Sequence, residues 1–138
     1  MKALKTLIRL AKEEVEIARR ALAEAEALHR RARERIADLE AGIVSEQKEA
    51  AANALALSTY GAYAAARAED RRVLTTDETA YSQHAAVLRE RLAEAHVELK
   101  KLERLAELQA ERESEAERKR DLAELDEIAT ARAARKES

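Results

Sequence analysis

Residues 4–43 read LKTLIRLAKEEVEIARRALAEAEALHRRARERIADLEAGI, and their spacing decides the fold. Small or apolar side chains recur at Leu4, Ile8, Ala11, Val15, Ala18, Leu22, Ala25, Ala32, Ile36, Leu39 and Ile43, in steps that alternate four and three. His29 occupies the one place where the series lacks an apolar residue. A repeat of this kind, kept up for roughly five heptads, is the a/d seam of a coiled coil. Glu16 with Arg20 and Glu26 with Arg30 stand four apart, in the order that favours exposed helical pairs.

A second seam follows at Tyr81, Ala85, Leu88, Leu92, Ala95, Leu99, Leu102 and Ala106. The stretch QAERESEAERKRD, residues 109–121, offers only two alanines as apolar side chains; LAELDEIA then restores a short stripe at Leu122, Leu125, Ile128 and Ala129. Composition agrees with helices packed along narrow seams. The 138 residues include no Pro, Cys, Trp or Phe, 39% are charged and 2% are aromatic. Ala, Leu, Glu and Arg, the best helix formers, dominate. Without cysteine there is neither a disulfide framework nor a thiolate metal site. The opening MKALKTLIRLAKEE is too short in its apolar run for a signal peptide, and no run nears the roughly 20 residues of a membrane span. A soluble, cytoplasmic protein is expected.

Two places carry breaker signals. One is Ser58–Gly61 within ALALSTYGAY, residues 54–63; the other is TTDE, where Thr75 and Glu78 have capping-box spacing. A reversal near residues 58–59 sets Val15 against Leu102, Ala18 against Leu99, Leu22 against Ala95, Ala25 against Leu92, His29 against Leu88 and Ile36 against Tyr81. Large then faces small in successive layers, as close packing requires. A reversal at Thr75 would leave Ile36, Leu39 and Ile43 against the charged 109–121 stretch, forfeiting about 1.5–3 kcal/mol for each. The spacing therefore predicts an all-α fold: a long antiparallel two-helix coiled-coil hairpin forming a single domain over residues 1–138. The first helix is expected over about 2–56, the turn at about 57–61, and a longer C-terminal helix over about 62–135, overhanging its partner from about 114. Gly61 is expected to serve the turn, and TTDE to be a weak place or kink in the second helix.

Chemistry is sparse. Glu26 and His29 have Glu-x-x-His spacing, but His84 and His96 lack a Glu three residues earlier, so a di-iron bundle site is not expected. Arg30, Arg31, Arg33 and Arg35 form the one dense basic run. They spread over more than one helical face in a chain of formal charge −2, which does not make a nucleic-acid footprint. No phosphate loop, nucleophile elbow or paired carboxylate stands out, and neither catalysis nor a cofactor is expected. Tyr81 reads as seam packing. Tyr60 and Tyr63 either staple the turn or anchor a partner, tyrosine being common among interface hot spots. Leu122, Leu125 and Ile128 mark a docking face of the helix-in-groove kind; fraying, or pairing of two overhangs, are the alternatives.

The blocks LIRLAKEEVEIARR, YGAYAAARAEDRR, LAEAHVELKKLERL and LDEIATARAAR, in this order over the whole chain, resemble the FliJ family of flagellar export proteins. The resemblance implies an antiparallel coiled coil similar to the central stalk of the rotary ATP synthase. It further implies a soluble, non-catalytic part of the type III export apparatus, placed at the flagellar base on the inner face of the membrane. Its partners would be the export ATPase (FliI-like), the export gate protein (FlhA-like) and export chaperones, which such proteins escort; its role in motility would run through export. Family gate contact involves an aromatic residue just after the turn and an aliphatic one four positions later. Tyr63 matches the first place; Arg67 departs from the second. Rival classes are a generic coiled-coil scaffold or self-associating rod, and an amphipathic coat for membranes or storage granules. A coat would need bulky apolar residues opposite a Lys/Arg-rich face, whereas this seam is narrow and rich in alanine.

Overall fold

The computed structural model describes residues 2–137. They form two helices packed against each other, α1 at Lys2–Ala52 and α2 at Ala54–Glu137. Among the described residues, no helix is long and apolar enough to cross a membrane. Every α1 position of the first seam, His29 included, is buried or half-buried, as is every position of the second seam from Tyr81 to Ala106.

The reversal is not where glycine suggested. Only Asn53 interrupts the helices. Its side-chain oxygen accepts the Leu55 N–H at 2.9 Å, and its carbonyl accepts the Leu57 N–H at 3.0 Å. Asn53 is thus the N-cap of α2, satisfying a donor that the first turn of a helix otherwise leaves bare. The expected turn at 57–61 lies inside α2. The Ser58 and Thr59 hydroxyls donate to the carbonyls of Leu55 and Ala56, at 2.6 and 3.1 Å, a local bond available to hydroxyls within a helix. No glycine has positive φ. The TTDE segment likewise makes no break: the Thr76 and Thr79 hydroxyls donate to the carbonyls of Arg72 and Thr75, at 2.9 and 3.0 Å, and α2 runs straight through.

Contacts divide the chain into two units, Glu13–His96 and Met1–Lys12 with Val97–Ser138. Within Glu13–His96, α1 and α2 run antiparallel: Glu40 pairs with Arg71 at 2.8 Å and Glu26 with Arg89 at 3.3 Å. The core is a cluster of Ala25, Ala85 and Leu88, with Ala21 and Leu22 packed against it. Ala25 therefore meets Ala85 and Leu88 rather than Leu92. His29 is hydrogen-bonded to Glu78 rather than set against Leu88. The register is displaced from the expected one by about one heptad, and a seam that repeats every seven residues looks the same after such a shift.

In the unit made of Met1–Lys12 and Val97–Ser138, Ala11 is buried. Leu4 and Ile8 share a groove with Ala106, Gln109, Ala110 and Glu113. Every described residue from 110 to 137 is exposed.

Candidate interaction surfaces

Three features stand out, and none resembles a catalytic pocket. The first lies in Glu13–His96, around the tyrosines. Tyr60, Tyr63, Arg67, Leu74, Glu78 and Tyr81 are all half-buried, at spacings that carry the α2 seam back toward its N-terminus. The rings of Tyr60 and Tyr63 lie 6.1 Å apart and tilted by 34°, a favourable aromatic pairing. The Arg67 guanidinium lies over the Tyr63 ring at 5.2 Å and pairs with Asp70 at 2.9 Å. Its Nε is buried without a hydrogen-bond partner. The Tyr63 hydroxyl lies 3.8 Å from where a Cβ on Gly42 would sit, which places the ring edge against α1. Two residues beyond Arg67, the Glu69 carboxylate is held below its ordinary range by its hydrogen bond to Arg72, whose own pKa is raised by the same contact.

The tyrosines thus belong to the helix–helix seam, and Arg67 is occupied by Tyr63 and Asp70. The exposed apolar side chains near the reversal are others: Leu55 at 76% and Leu57 at 60% exposure. Neither was singled out from the sequence. Taking Asn53 as a cap would have exposed them, because both then fall outside the phase set by Tyr60, Tyr63 and Arg67.

The second feature is a polar pair inside the seam. The His29 imidazole donates from Nε2 to the Glu78 carboxylate at 2.7 Å, and the two side chains are 21% and 26% exposed. With Glu26 paired to Arg89 and His29 to Glu78, the Glu-x-x-His motif is spent on joining the helices. Among the described residues, no group of three or more His, Asp or Glu side chains is placed to hold a metal ion.

The third is the stripe near the end of α2, where Leu122, Leu125 and Ile128 are 57%, 61% and 51% exposed. The three fall within seven residues of one helix, in a stretch where every described residue is exposed.

The family model for the flagellar FliJ protein matches residues 1–138, the whole chain. The chain belongs to the FliJ family. FliJ proteins are non-catalytic components of flagellar export, and an all-helical molecule of two packed helices suits that family. No curated protein and no solved structure matches the chain.

Proposed function

We propose that this FliJ-family protein is a stalk-like subunit that binds the ring-forming export ATPase and favours its assembled, active state, working on the cytoplasmic side of the flagellar base. The supporting observation is the exposed Leu122, Leu125 and Ile128 stripe on a helix that is unbroken to Glu137. Such a face lowers its free energy by entering an apolar groove of a partner. A stalk acts without chemistry of its own: it shifts ring assembly only as far as it binds the assembled ring more tightly than the free subunit.

Contact with the export gate falls, in this proposal, to the surface around Tyr60 and Tyr63. Arg67 is turned onto Tyr63, so the neighbouring Leu55 and Leu57 supply the aliphatic part. Escort of export chaperones completes the role. Changing Leu122 and Leu125 to Ser is expected to leave helicity and melting nearly unchanged, because both side chains are already in solvent. The same change should abolish co-purification with the cognate ATPase and the rise in ATP hydrolysis that the unaltered protein causes near the assembly threshold. Full stimulation by the double variant would overturn the assignment of the stripe. Absence of stimulation by the unaltered protein across a wide concentration range would leave a structural scaffold as the better description.

A further inference from the structure

Beside the seam that α2 covers, α1 carries a second row. Glu14, Ile17, Ala21, Glu24, Leu28 and Arg31 each stand one residue before a position of the first seam. The row therefore repeats in steps of three and four, and it keeps a constant angle of about 100° to the covered face. All of it lies within the unit Glu13–His96. Ile17 and Leu28 remain 59% and 41% exposed; the three charged members are exposed as well, and Ala21 is half-buried. The opposite flank of α1 is ionic, with Glu26 paired to Arg89 at 3.3 Å. A heptad row with apolar members is a surface that one helix offers to another.

The row also matches its own reverse. Glu14 and Arg31 stand equally far from the point between Leu22 and Ala23, and so do Ile17 and Leu28. Turned end for end, an acid falls on a base and an apolar side chain on an apolar one. Ala21 falls opposite Glu24, and Arg20, its neighbour, comes beside that carboxylate.

We propose that α1 uses this row to pair, antiparallel, with the same row of a second copy of this chain. Ile17 of each copy packs on Leu28 of the other, and Glu14 meets Arg31 at both ends. One patch thus serves both copies, as a twofold interface requires. Other occupants fit less well. Parallel pairing would set Glu14 on Glu14, Glu24 on Glu24 and Arg31 on Arg31. A lipid surface calls for bulky apolar residues beside a Lys/Arg-rich face, whereas two of the six row members are glutamates. A helix of another protein would require no symmetry in the row, so the match about one point favours a second copy. The contact runs over residues 14–31, about 26 Å of helix at 1.5 Å per residue. With two large apolar side chains from each copy, the interface is small and the association weak. It is independent of the ATPase reading, because it is measured on the purified protein alone.

Sedimentation equilibrium of the full chain tests it, and a monomer–dimer equilibrium is expected. Ile17→Ser with Leu28→Ser should weaken self-association by about tenfold or more, through loss of the apolar contact. Glu14→Arg or Arg31→Glu, each alone, should weaken it by about tenfold, since like charges then face each other at both ends. Mixing these two charge variants restores an acid opposite a base at both ends, and heterodimers should form about as tightly as the unaltered dimer. All four positions are exposed, and circular dichroism checks that the helices persist. The chain has no cysteine, so a cross-link reads the register: Glu14→Cys mixed with Arg31→Cys should oxidise to a linked heterodimer, and neither should link to itself. A protein that stays monomeric at high micromolar concentration, a dimer indifferent to these variants, or a cross-link formed by Glu14→Cys alone would each overturn the proposal.

Discussion

Replacing Gly61 with alanine tests which residue reverses the chain. Gly61 has helical backbone, and a Cβ there would meet nothing within 4 Å. The substitution should therefore stabilise the protein by about 1 kcal/mol, the usual advantage of alanine over glycine in a helix interior. Asn53→Ala should cost about 1 kcal/mol through loss of the cap bond, and Asn53→Gly only a few tenths, since glycine tolerates the cap conformation. Urea midpoints of the three variants check this; a Gly61→Ala variant less stable than the parent would put the reversal back at glycine. The preference of glycine for turns is statistical, whereas the cap is a specific hydrogen bond between Asn53 and Leu55. Nothing in the composition of ALALSTYGAY distinguishes a loop from a first helical turn whose hydroxyls bond back to the chain.

At the level of the helices, the seam was legible and its register was not. Steps of four and three fix which face of α1 is covered, and burial follows them from Leu4 to Ile43. They do not fix the partner of a given layer, because sliding one helix by seven residues restores the same pattern. The unique layers must do that, and two can be named: His29 with Glu78, and Gly42 facing the Tyr63 hydroxyl. A polar residue at a seam position commonly sets register at some cost in stability. Changing both His29 and Glu78 to Leu should raise the melting temperature and loosen the register. Spin labels at the exposed positions Glu34 and Asp77 should give one narrow distance distribution in the parent. In the double variant a second population is expected, displaced along the axis by about 10 Å, one heptad at 1.5 Å per residue. That slipped state would move the reversal toward Ser58–Gly61. A single unchanged distribution would show that the polar pair does not set register.

For the whole molecule, membership of the FliJ family gives the role in flagellar export. The stripe at Leu122, Leu125 and Ile128 could be read from spacing alone, because it needs no knowledge of packing. The groove that Ala3 and Leu7 of α1 form with Leu105, Leu108 and Arg112 of α2 could not, since it exists only once the two helices pack. One feature of the packing also governs how the protein responds to temperature. Among the described residues the buried side chains are Ala11, Val15, Ala25, Ala32, Ala50, Ala85 and Leu88, and no large side chain is fully enclosed. Unfolding such a molecule uncovers little oily surface, and the heat-capacity increment of unfolding follows that surface. Scanning calorimetry should give an increment clearly below the 12–15 cal/mol/K per residue, roughly, of ordinary globular domains; a value at or above that range would contradict the thin alanine core. A small increment flattens the curve of stability against temperature, so the protein should lose little of its stability on cooling toward freezing, where thick-cored domains begin to weaken.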